Sequence, residues 1–128
     1  MRPKNQTVQN QKSNFQRSPA ELLQYALSLQ QAGNFKQAKQ QYKKILKREP
    51  KNVDALHFMG LLAYQLGKPS IAFDYLNKAI EIAPKLPAAL NSRGLLNEKH
   101  FKLNEALDDY NKALAISPMS VDTLYNRG

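Results

Sequence analysis

Two histidines, one pair of adjacent carboxylates and a row of lysines are the residues of this 128-residue chain whose types could support chemistry. His57 and His100 lie far apart, and neither has a second His or a Cys at the three- to five-residue spacing of a zinc site. No metal site is expected from them. His57 precedes Phe58 in an apolar run and reads as the edge of a groove or core; His100 falls at a helix end, where a cation suits the dipole. Asp108-Asp109 would serve acid–base catalysis only if both carboxylates faced one group. Adjacent helical residues point apart, and Lys112 follows Asp108 by four positions, so the pair reads as a solvated, salt-bridged patch. The chain shows no Gly-rich phosphate loop and no nucleophile elbow. With no cysteine, thiol catalysis, thiolate metal sites and disulfides are excluded, and a reducing compartment is favoured. The expectation is a chain with no cofactor and no catalysis of its own.

The elements that must hold these residues recur with a period of 34. Shifted by that amount, Pro50, Pro84 and Pro118 coincide, as do Gly60, Gly94 and Gly128, and Ala38, Ala72 and Ala106. Leu22, Leu56, Leu90 and Leu124 form a fourfold column. The physical reasons differ by column. Proline lacks an N–H and forces its predecessor out of the α region, so each of these prolines ends a helix. Between them lie paired amphipathic runs of about 14 residues, broken at Gly33-Asn34, at Gly67-Lys68-Pro69 and at His100-Phe101-Lys102. Glycine inside a helix costs roughly 1 kcal/mol against alanine, so its recurrence at positions 60 and 94 points to helices that approach closely.

Leu22, Ala26, Gly33, Ala38, Tyr42 and Pro50, then Leu56, Gly60, Gly67, Ala72, Leu76 and Pro84, then Leu90, Gly94, Ala106, Tyr110 and Pro118, form a pattern that resembles the tetratricopeptide repeat family. Phe101 stands where the third hairpin glycine would be. The resemblance implies an all-α, right-handed α-solenoid of antiparallel helix pairs. The organisation expected from it is a disordered basic polar tail at 1–18, repeats at 19–52, 53–86 and 87–120, and the first helix of a fourth repeat at 121–128. Ser18, Pro19 and Glu21 should open the first helix with a capping box. The short last helix and the want of a polar capping helix suggest an arm of a longer protein.

Charge is uneven. Of the net +9, the tail carries +4, residues 19–52 carry +5, and the rest sum to zero. Lys36, Lys39, Lys43 and Lys47 fall on one helical face. That row reads first as a solvated outer face. Nucleic acid ranks below a protein partner, because no arginine-rich, aromatic-interleaved surface accompanies the lysines. No run approaches the 18 apolar residues of a membrane span and no signal peptide opens the chain, so a cytoplasmic location is expected.

In the family, extended peptides lie in a concave groove lined by the first helix of each repeat. The matching positions here are Leu23, Gln24, Leu27 and Gln31; His57, Phe58, Leu61, Tyr64 and Gln65; Asn91, Ser92, Leu95, Glu98 and Lys99; and Tyr125 and Asn126. Members that grip acidic chaperone C-termini use a clamp of Lys, Asn and Arg; Leu23, Leu27, Phe58, Ala88 and Ser92 stand at those places, so the clamp is absent. Asn126 matches the asparagine ladder of repeat arms resembling those of O-linked N-acetylglucosamine transferases, whereas Asn91 is one residue out of register. The resemblance thus implies a non-catalytic interaction scaffold for a peptide or partner segment, with a substrate-recognition arm of such a glycosyltransferase as the alternative. The oligomeric state is left open.

Overall fold

The computed structural model describes residues 17–118. The expected tail up to residue 16 and the expected fourth-repeat helix, with Tyr125 and Asn126, lie outside the described residues. Six α-helices and no strand form among the described residues: α1 (Pro19–Gln31), α2 (Phe35–Arg48), α3 (Val53–Gln65), α4 (Pro69–Ile82), α5 (Pro87–Lys99) and α6 (Leu103–Ile116). The chain divides between Pro50 and Lys51 into two compact bodies. The first holds the hairpin α1–α2; the second holds α3–α4 and α5–α6, with α4 packed on α5.

Local chemistry sets these boundaries. At the start of α1 the Ser18 hydroxyl accepts from the Glu21 N–H at 3.1 Å, and the Glu21 carboxylate accepts from the Ser18 N–H at 2.8 Å. This is the expected capping box. Asn52 caps α3 through the Ala55 N–H at 2.9 Å, and Pro69 and Pro87 open α4 and α5. Residues Glu49, Ala83 and Ser117, each just before a proline, take nearly the same non-helical backbone, with φ of −133°, −128° and −134° and ψ of 82°, 80° and 79°. Their N–H groups still reach back to Ile45, Ala79 and Ala113. Proline therefore ends all three second helices by one mechanism.

The hairpin turns also share a conformation. Gly33 and Gly67 have φ of +84° and +77°, and Phe101, at the same step of the third hairpin, has φ of +61°. A side chain in that left-handed region is disfavoured by about 1–2 kcal/mol, and the Phe101 ring gains little in return, since it is 88% exposed.

Each hairpin closes over small residues. Ala26 and Ala38 are fully buried in the first body, whose other buried apolar residues are Leu22, Leu29, Tyr42 and Ile45 among the described ones. A methyl group on Gly60 would lie 3.2 Å from the Ala72 carbonyl oxygen, and one on Gly94 would lie 2.6 Å from the Tyr110 ring. The close backbone approach expected of these glycines is thus found at Gly60, whereas at Gly94 the space a side chain would need is filled by the Tyr110 ring. Ala63, Ala72, Leu76 and Leu96 form the central cluster of the second body, with Tyr64 and Phe73 packed against it.

Candidate functional site

Of the positions expected to face a ligand, Leu23, Gln24, Leu27 and Gln31 lie on α1 in the first body, the leucines half-buried and the glutamines exposed, and the rest of the described ones lie on α3 and α5, the first helices of the two hairpins of the second body. His57 on α3 and Ser92 on α5 meet there, Nε2 to Oγ at 2.7 Å. The His57 ring stacks on Phe58 at 4.9 Å between centroids and is 6% exposed. Burial lowers its pKa below 6.5, with Asp54 pulling weakly the other way. The imidazole is thus held neutral, able to exchange one hydrogen bond with the serine hydroxyl.

Around that pair, Phe58, Leu61, Tyr64 and Asn91 are half-buried, Gln65 and Glu98 are exposed, and Leu95 is 37% exposed. Half-buried aromatic and aliphatic groups interleaved with amides offer apolar contact and backbone-directed hydrogen bonds together. Two of these residues also serve the fold. Tyr64 packs edge-on against His100 at 5.8 Å, and Glu98 accepts the Tyr110 hydroxyl at 2.9 Å. His100 caps α5 and also meets Phe73 edge-on at 6.0 Å, so its described contacts are aromatic rings.

The Asp108-Asp109 patch divides. Asp108 is exposed and pairs with Lys112 at 3.1 Å, as its spacing implied. Asp109 corrects the reading of a solvated patch: it is 2% exposed and takes a two-pronged grip from Arg93, at 2.7 and 3.0 Å. Asn97 donates to the same carboxylate at 3.1 Å, and Arg93 reaches across to Asn77 on α4 at 2.9 Å. The cause is helix phase, since Asp109 falls one position before Tyr110 on the inward side of α6 whereas Asp108 falls outside it. This network floors a surface cavity of about 470 Å³ bordered by Phe73, Asp74, Lys102 and Glu105. Sequence reasoning missed it. The available signal was the 12-residue step across the hairpin, which joins Asn97 to Asp109 just as it joins Glu98 to Tyr110.

In the first body, Lys36, Lys43 and Lys47 are exposed and Lys39 is half-buried, all on α2. That helix buries Ala38, Gln41, Tyr42 and Ile45 on its other side. Among the described residues no group of three His, Cys, Asp or Glu side chains could hold a metal ion, and no helix is long and apolar enough to cross a membrane.

A family model described as tetratricopeptide repeat matches residues 23–87. No curated protein sequence matches the chain. Solved structures similar to it include the first TPR of Spaghetti (RPAP3) bound to the HSP90 peptide SRMEEVD, at 21% identity and a TM-score of 0.78, covering 85% of this chain and 86% of that one. PilF of Pseudomonas aeruginosa is similar at 22% identity and a TM-score of 0.80, over 85% of this chain and 50% of that chain. A tetratricopeptide repeat protein from Parabacteroides merdae is similar at 25% identity and a TM-score of 0.75, over 84% and 42% of the two chains.

Proposed function

Because the chain belongs to the tetratricopeptide repeat family, a family of protein-interaction modules, we propose that it holds an extended peptide or partner segment along α3 and α5. The observation that carries this reading is the mixed lining of those helices: Phe58, Leu61 and Leu95 as apolar anchors, Asn91, Ser92 and Gln65 as hydrogen-bonding groups. An extended ligand that lies on such a surface gains affinity from main-chain hydrogen bonds and specificity from alternate side chains.

The same lining indicates what kind of peptide fits. The similar RPAP3 domain is bound to a peptide ending in Glu-Glu-Val-Asp. Here Leu23, Leu27, Phe58, Ala88 and Ser92 stand where a carboxylate clamp would need cations and amides. The ligand of this chain is therefore held by apolar side chains and not by terminal carboxylates, and SRMEEVD should bind it poorly.

A peptide array probed with the wild-type chain, with Leu95→Glu and with Ile71→Glu tests the proposal. Both leucine and isoleucine are exposed, at 37% and 44%, but Ile71 belongs to the second helix α4. Leu95→Glu should abolish the wild-type binding profile while Ile71→Glu preserves it. Indistinguishable profiles from all three proteins would refute the assignment to α3 and α5.

A further inference from the structure

Helix α2 has a second face that the peptide reading does not use. Its residues 35–48 include Lys36, Lys39, Lys43, Lys44, Lys47 and Arg48 and no acidic residue. With about 100° per residue, Lys36, Lys43 and Lys47 fall within about 40° of one another. Ala38, Tyr42 and Ile45, all fully buried, lie on the opposite side. Packing against α1 therefore turns the lysine row outward. None of Lys36, Lys39, Lys43 or Lys47 forms an ion pair among the described residues. Arg48 is occupied differently, since its guanidinium donates to the Arg17 carbonyl. Arg17 in turn lies over the Tyr25 ring at 4.5 Å.

The chemistry of the row selects among anions. A membrane surface would need apolar groups beside the cations to enter the acyl boundary, and the apolar side of α2 is spent on the core. A globular acidic partner would need a buried anchor for its hot spot, and the centre of this face offers only lysines and Gln40, with Gln37 and the half-buried Leu46 at its edges. Single-stranded nucleic acid would need a run of stacking platforms; of the two aromatics of this helix, Tyr42 is buried with its hydroxyl bonded to Gln30 at 2.6 Å, and Phe35 is half-buried at the helix start, about 100° round from Lys36. A duplex needs neither. Lys36 to Lys47 span about 16 Å of helix, a length over which double-stranded nucleic acid presents about ten phosphates. We propose that the α2 face is a sequence-independent docking surface for the phosphate backbone of duplex nucleic acid, with Lys36, Lys39, Lys43 and Lys47 as the phosphate-neutralising groups.

The test is fluorescence anisotropy of a labelled 20-base-pair duplex of arbitrary sequence with the full chain, between 50 and 200 mM KCl. Each lysine that neutralises one phosphate contributes about 0.9 to the slope of log Kd against log salt, so the four together weaken binding roughly 150-fold across that range. Arg2, Lys4 and Lys12 are the same in every variant, so any contribution of theirs cancels in the differences between slopes. Lys36→Gln, Lys43→Gln and Lys47→Gln, all at exposed positions, should each lower the slope by about 0.9, while Lys112→Gln on α6 should leave it unchanged. Circular dichroism of each variant should match wild type. Equal slopes for wild type and the three single variants would overturn the proposal. So would tighter binding to polyglutamate or to vesicles of anionic lipid than to the duplex at matched charge.

Discussion

Substituting Gly94 by alanine sets helix propensity against packing, and the structure decides which prevails. In an exposed helix the change would stabilise by about 1 kcal/mol. At position 94 the new methyl would sit 2.6 Å from Cε1 and 2.9 Å from Cδ1 of Tyr110. The ring cannot swing aside freely, because it is nearly fully buried and its hydroxyl is bonded to Glu98 at 2.9 Å. Overpacking of this kind costs about 1–3 kcal/mol, and a displaced hydroxyl forfeits about 1 kcal/mol more. The expected net effect of Gly94→Ala is a loss of roughly 1–3 kcal/mol, read as a lower urea midpoint at unchanged slope. Combining it with Tyr110→Leu, the residue type that Leu76 supplies one period earlier, relieves the clash. The double variant should be more stable than the sum of the single changes by at least 1 kcal/mol, beyond the roughly 0.5 kcal/mol scatter of independent sites. Additive effects, or a Gly94→Ala protein more stable than wild type, would refute the close-approach argument.

Three further outcomes are expected. Asp109→Ala leaves the Arg93 guanidinium without its two-pronged partner and should cost about 3 kcal/mol, whereas Asp108→Ala should stay within about 0.5 kcal/mol; equal losses in urea titrations would contradict the buried pair. Since burial lowers the His57 pKa below its unfolded value of 6.5, the unfolded chain binds the extra proton first, so stability is full above about pH 6.5 and declines as the pH falls towards the lowered value. The urea midpoint of wild type should therefore drop more between pH 8 and 5 than that of His57→Gln, and parallel drops would remove His57 as the cause. Phe101→Gly relieves the left-handed backbone at the third hairpin and, after the entropy glycine adds to the unfolded chain, should stabilise by about 0.5–1 kcal/mol in thermal melts; a lower melting temperature would argue against strain there.

The fold was legible because its rules are local and repeated. Proline placement at 50, 84 and 118 needs no tertiary information, nor does the capping box at Ser18, and the 34-residue columns locate the small residues where the helices cross. What lay beyond the sequence were contacts between residues whose spacing belongs to no single helix. Asp109 and Asp108 are chemically identical neighbours, and only the phase of α6 against α5 buries one and exposes the other. The His57–Ser92 bond likewise joins side chains of successive repeats. Its two members were singled out as ligand-facing, but their mutual engagement depends on how α3 and α5 lie against each other. Glu98 shows the converse: its family position indicated a ligand contact, while its carboxylate in this fold receives the Tyr110 hydroxyl.

Tyr42 finds its hydroxyl partner in Gln30, and Tyr110 finds its own in Glu98, each twelve residues earlier on the facing helix. In the middle hairpin both members differ together: Leu76 has no hydroxyl, and Tyr64 stands where the acceptor would be. Recombination that splices the middle repeat to either neighbour inside the turn would part a phenol from its acceptor and set two tyrosines, or none, in a slot shaped for one. Crossovers at the prolines keep every couple intact. The heritable module of this protein is therefore the whole hairpin, and its two arms travel as a matched set.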